Sequence, residues 1–163
     1  MQLTIPHAKP SNSLEVLANA EALLAQYGGK IVYQMGGDFN GTPLGCDCSA
    51  FAARVCGQRK EGQTKIGYNT DHIYDDAHKG PHQRWRQIEA PELGCIGVYP
   101  GKTHNGKRTA GHVWVVRDVT LSLTIECCSS GKGIVSKARP QWFGRGALGN
   151  GRPIIWARFV GAE

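Results

Sequence analysis

The sequence predicts an α+β domain in which helices come first and an antiparallel sheet follows. Three observations carry that expectation. Apolar residues in the first part of the chain recur at helical spacing, at Leu14, Leu17, Ala18 and Leu24. The second half instead holds short apolar runs, partly alternating and rich in β-branched residues. Glycine, at 22 of 163 residues, clusters between these runs and favours a loop-rich fold over a helical bundle. The length suits a single domain spanning 1–163, large enough to bury a core.

Residues 1–12 read as an extended arm with two prolines. Asn12 stands three residues before Glu15, a capping-box spacing, and opens a helix of about 14 residues that Gly28-Gly29 stops. Residues 30–45 form a connection. A short helix follows from Cys48 to about Cys56, ended by Gly57. Thr70 can cap another, from Asp71 to about His78. Residues 79–92 are polar and read as irregular. Strands are expected at 95–99, 111–117, 121–126 and 153–160, with Asp118-Val119-Thr120 joining the second and third as a hairpin. A Gly-rich stretch (Gly144, Gly146, Gly149, Gly151) precedes the last strand. These four strands are expected to pair within one central antiparallel sheet of about five.

No apolar run approaches the roughly 20 residues that a membrane span requires. The start of the chain lacks the basic and apolar regions of a signal peptide, so a soluble cytoplasmic product is expected. The formal charge of +6 favours polyanionic partners, nucleic acid and an anionic envelope alike. The six cysteines are Cys46, Cys48, Cys56, Cys95, Cys127 and Cys128. Their spacings match no C-x-x-C zinc ribbon, and most are expected to be reduced thiols that fill the core.

Asp47-Cys48-Ser49-Ala50-Phe51 places one of these thiols at the first turn of a helix. A helix start carries partial positive charge and free N–H groups, which favour thiolate and can stabilise an oxyanion. Asp47 suits the cap, and Phe51 and Val55 would anchor the helix to the core. A cysteine nucleophile needs a base. His7, His72, His78, His82 and His104 lie in polar contexts, whereas His112 opens a predicted strand. The next strand returns antiparallel and brings Glu126 beside His112, where it can fix the imidazole's tautomer. Thr124, on the same face of that strand, is the weaker candidate for this place.

Together these pieces resemble the NlpC-type family of bacterial and phage cell-wall cysteine peptidases. Asp47-Cys48-Ser49-Ala50-Phe51 is similar to its D-C-S-G-F box, and Gly111-His112-Val113-Trp114-Val115 to its G-H-V-G-I strand. Tyr33-x-x-Gly36-Gly37 resembles its Y-x-G-G element, and Ile125-Glu126-Cys127-Cys128-Ser129-Ser130 the E-C-S-S stretch of phage-type members. Ala50 and Trp114 stand where the family usually has glycine, and Glu126 where it commonly has histidine, asparagine or glutamine.

The resemblance implies a papain-like fold and acyl transfer by Cys48, His112 and Glu126. It also implies substrate contacts at Tyr33, Asp47, Ser49 and Trp114, with no metal and no cofactor. Its substrate would be the peptidoglycan stem peptide, cut at the γ-D-glutamyl–diamino acid bond or, as an amidase, at the lactyl–L-alanine bond. A monomeric phage lysin is expected, delivered to the periplasm by a holin or virion. An antibacterial effector carried by a secretion system also suits the sequence.

Two other classes compete. A basic nucleic-acid-binding module would use Arg84-Trp85-Arg86 and residues 102–108, but no nucleic-acid motif is present. A structural metal protein would use Cys46, Cys48, Cys127 and Cys128.

Overall fold

Asn12 caps the first helix as its spacing predicts: its side-chain oxygen accepts from the Glu15 N–H at 3.0 Å. The Glu15 carboxylate reaches back to the Ser11 N–H at 2.6 Å, a variant of the reciprocal capping box. This helix, α1, spans Ser13–Tyr27 and buries Val16, Ala20, Leu23 and Tyr27, one residue per turn. The Gly28 N–H closes it on the Leu24 carbonyl at 2.9 Å. The computed structural model describes residues 10–40, 44–57, 69–79, 84–128 and 133–161. The predicted arm therefore lies almost wholly outside the described residues.

The connection after α1 holds a small sheet of β1 (Val32–Tyr33), β2 (Asp38–Asn40) and β3 (Gly45–Cys46), with β3 in the middle. It feeds directly into α2 (Cys48–Val55), then α3 (Thr70–Lys79). The Asn69 side chain, not that of Thr70, caps α3, accepting from the His72 N–H at 3.0 Å. The sheet-forming part comprises β4 (Trp85–Ile88), β5 (Ile96–Tyr99), a hairpin of β6 (Lys102–His104) and β7 (Lys107–Thr109), β8 (His112–Asp118), β9 (Leu123–Cys128) and β10 (Gly133–Ala138). A short helix α4 (Pro140–Phe143), a second small hairpin of β11 (Leu148–Gly149) and β12 (Arg152–Pro153), and β13 (Ile155–Phe159) complete the chain.

The fold is α+β. Among the described residues there are four helices, and the main sheet has six antiparallel strands in the order β10-β9-β8-β5-β13-β4. Two of these strands escape the sequence reading. Residues 85–88, read as irregular, form β4, and 133–138 form β10. The β8–β9 connection is also longer than expected. Asp118 accepts from the Leu121 N–H at 2.7 Å, Ser122 turns with φ 53°, and β9 starts at Leu123.

Both faces of the sheet are covered, which explains the unbroken apolar run Val113-Trp114-Val115-Val116. Val113, Val115, Ile125 and Cys127 join one core with Val16, Leu23, Phe51 and Val55 of the helices. Trp114, Val116, Cys95 and Trp156 form a second core on the other face, beneath Trp142, Phe143 and Ile154. Gly97 pairs across from Trp114, and a Cβ there would collide with the indole ring, so the glycine makes room for it. Among the described residues, no helix is long and apolar enough to cross a membrane.

Candidate active site

The two residues before α2 build the turn that presents Cys48. Asp47 Oδ1 accepts from the Ala50 N–H at 2.9 Å and from Ser49 Oγ at 3.0 Å. Its Oδ2 accepts from the Gly36 N–H at 2.9 Å, tying the Tyr33–Gly37 segment to the helix start. Gly36 takes φ 77°, a left-handed turn residue for which glycine is suited. Asp47 and Ser49 are both buried and directed at one another. Their side chains bond one another at the nucleophile's turn, and both residues line the cavity beside Cys48, where the sequence reading expects substrate contacts. The Ser49 N–H remains placed at the first turn, where no preceding helical carbonyl competes for it.

His112 opens β8 beside this turn. Its Nε2 lies 3.1 Å from Glu126 Oε1, and its ring also bonds the Cys48 side chain. With Nε2 on the carboxylate, Nδ1 is the nitrogen left to face the thiol. Burial pushes His112 toward the neutral form. Cys48 and Glu126 outweigh burial and hold its pKa up at about 10. Glu126 is fully buried, which opposes its charge. Hydrogen bonds from His112, Arg139 and Thr124 reverse that and hold the carboxyl at about 2. The resting pair at neutral pH is therefore imidazolium and carboxylate.

Arg139 is the member of this site that the sequence reading misses. It follows β10 and donates Nη2 to Glu126 Oε1 at 2.6 Å. Its guanidinium also lies 4.5 Å from the Trp142 ring centroid. Thr124, the alternative third residue, instead donates its hydroxyl to Glu126 Oε2, so it supports the carboxylate.

Trp114 does not reach the cleft. It is fully buried, stacked against His112 at 5.8 Å and Trp142 at 4.4 Å between ring centroids. The expectation that it touches substrate is corrected: β8 alternates, and Trp114 shares His112's face one pleat deeper, where it supports the imidazole. Tyr33 is half-buried and does line the cleft. Burial, followed by the nearby Cys48 and Asp47, pushes its phenol pKa up, so it stays a proton donor.

Two cavities meet at the site. One, of about 250 Å³, is lined by Cys48, Met35, Thr70, Asp71 and Arg108 among others. The second, of about 340 Å³, is lined by His112, Tyr99, Cys128, Arg139 and Asn150. Tyr33, Ala110 and Gly111 line both, so an extended ligand can cross the Cys48–His112 pair. The 110–111 rim is secured by Arg152, whose Nη1 donates to the carbonyls of Pro100, Thr109 and Ala110 at 2.8–3.2 Å.

The other candidates fall away from the cleft. His72, His78 and His104 are exposed; His7 and His82 lie outside the described residues, as do Ser129 and Ser130. Trp85 is buried against Phe159, so Arg84-Trp85-Arg86 presents no ring on which a base could stack. Burial pushes the Cys56 thiol up and that of Cys95 to about 12, which suits core filling. Among the described residues, no group of His, Cys, Asp or Glu could hold a metal ion. Neither a family model nor a curated protein matches the chain.

Two outcomes are expected from this geometry. A Cβ on Gly111 would collide with the Tyr99 carbonyl, which is backbone and cannot yield cheaply. Gly111→Ala should cost about 1–3 kcal/mol in urea unfolding and displace His112. Wild-type unfolding energy would contradict the close approach.

The His112 ring followed by NMR should titrate near pH 10, and markedly lower in Glu126→Gln. Its folded pKa lies above the unfolded 6.5. The stability it contributes is therefore complete below pH 6.5 and lost as pH rises through about 10. Glu126 has the opposite sign. Its contribution is present above pH 4.5 and lost as pH falls through about 2. Equal His112 midpoints in the two proteins would remove Glu126 as its partner.

Proposed function

We propose that the protein is a papain-like, NlpC-type cysteine peptidase that hydrolyses the stem peptides of bacterial peptidoglycan. One observation carries this reading: a thiol at a helix start bonds an imidazole whose other nitrogen rests on a buried carboxylate. That is the nucleophile, base and orienting group of acyl transfer in consecutive contact. The two adjoining cavities, one lined by Cys48 and the other by His112, provide space for the chain flanking a scissile bond. The E-C-S-S and G-H-V likenesses of the sequence support the cell-wall substrate.

Cys48 thiolate attacks the amide carbonyl. The N–H groups of Cys48 and Ser49, at the first turn of α2, are the donors offered to the oxyanion that forms, and Tyr33 lines the same cavity. As the C–N bond breaks, His112 gives its proton to the leaving amine, and a thioester remains on Cys48. Acylation consumes the Cys48 thiolate and, with it, the hydrogen bond and negative charge beside the imidazole. Both raise the His112 pKa in the free protein, so without them the ring that has given up its proton stays neutral and free to accept another once the thioester exists. It then takes a proton from water, whose oxygen attacks the thioester and releases the acid. No step calls for a metal or cofactor. The protein would act on the wall after delivery by a holin, a virion or a secretion system.

Digestion of purified peptidoglycan, read by mass spectrometry of the fragments, tests the proposal. Fragments ending at the γ-D-glutamyl carboxyl are expected, and lactyl–L-alanine cleavage would identify an amidase on the same site. Intact sacculi after exposure to the wild-type protein would reject the cell-wall substrate.

A further inference from the structure

Cys46 and Cys127 take no part in the chemistry above, yet their sulfurs lie 3.0 Å apart in a fully buried setting. That is closer than two packed thiols normally rest, and within about 1 Å of the ~2.05 Å covalent distance. Cys127 Sγ also points at the Cys46 carbonyl, at 3.3 Å. The two residues frame the site from both sides. Cys46 ends β3 two positions before the nucleophile, and Cys127 follows the orienting Glu126 on β9. Of the other four cysteines, Cys128 accepts from Arg139 Nη2 at 3.9 Å. Cys56 and Cys95 belong to different cores, and Cys48 is engaged with His112.

We infer that Cys46 and Cys127 form a disulfide that fastens the strand leading into the nucleophile's helix to the strand carrying Glu126. The step is a two-electron oxidation by a small-molecule disulfide. One cysteine thiolate attacks the oxidant's S–S bond, releasing one thiolate and leaving a mixed disulfide. The second cysteine thiolate attacks that mixed disulfide, forming the Cys46–Cys127 bond and releasing the other thiolate. Two protein thiols and one disulfide become one protein disulfide and two small thiols. Because both sulfurs are buried, the bond closes while the chain folds or opens locally, not in the closed state. In a reducing cytosol the pair stays as thiols, and an oxidising compartment closes it. The inference rests on the sulfur geometry and stands whether or not Cys48 cleaves peptidoglycan.

The test refolds the full chain in a mixture of oxidised and reduced glutathione, then alkylates it under denaturing conditions. Four of the six thiols should react, and a non-reduced digest should contain one linked peptide pair, joining Cys46 to Cys127. Six alkylated thiols, or a linkage through any other cysteine, would overturn the inference. A second measurement needs no substitution. The oxidised protein should melt on the order of 10 °C above the same sample in reductant, the effect expected for closing a long loop. The Cys48→Ala variant should show the same pairing and the same rise. Equal melting with and without reductant, or loss of the rise in Cys48→Ala, would show that this pair is not the bond formed.

Discussion

Cys48→Ala should slow peptide hydrolysis by about 10⁴-fold or more. The substitution removes one sulfur from a nearly closed position and leaves the Asp47 cap untouched. The unfolding midpoint should therefore move little, and the loss belongs to chemistry. His112→Ala should cost a similar factor, because the thiol then loses both its charge partner and the proton donor for the leaving amine. Thiol and imidazole work as one unit. The double variant should be no slower than the slower single one, since each deletion already removes the whole acyl-transfer path. Steady-state rates on a defined stem peptide decide this. Multiplicative losses would mean that the two residues act independently, and the thiolate–imidazole pairing would be wrong.

Arg139→Met should destabilise the fold by about 3 kcal/mol, the lower end of the cost of stranding a buried charge. Glu126 has no solvent exposure and depends on Arg139, His112 and Thr124 for compensation. Arg139 keeps a side-chain exposure of 18%, so water screens part of its interaction, and His112 remains as a second partner. The expected loss stays near the lower bound for those reasons. Adding Glu126→Leu should recover more than half of it, because an apolar side chain needs no counter-charge. Urea unfolding of both variants checks this. A double variant no more stable than Arg139→Met would place the cost in lost packing on Trp142 instead of in the stranded carboxylate.

What the sequence disclosed and what it hid divide along physical lines. Asn12, Asp47 and Gly28 act through local hydrogen bonds within a few residues, so their roles were readable from spacing. The inner strands β5, β8 and β13 carry dense apolar runs because both of their faces are covered. The two unread strands, β4 and β10, are the edges of the sheet. An edge carries polar residues where no neighbour covers it: Arg86 and Gln87 are exposed in β4, and only the first two residues of β10 are buried. Arg139 is hidden for the same reason, since its position depends on an edge strand whose mostly uncovered residues carry no apolar pattern. Glu126 was legible because strand return geometry brings it to His112. Trp114 was misplaced because a letter pattern does not reveal how deep in the pleat a side chain sits.

The stack of Trp114, Trp142 and His112 has an optical consequence. The two indoles lie 4.4 Å apart at 27°, close enough to share excitation, and the imidazole lies 5.8 Å and 5.7 Å from them. A protonated imidazole quenches indole emission more strongly than a neutral one. Intrinsic fluorescence should therefore brighten as pH rises through about 10, where His112 gives up its proton. The same brightening should appear at neutral pH while a thioester on Cys48 keeps the ring neutral. The protein thus carries its own dye, placed where the reaction's proton resides.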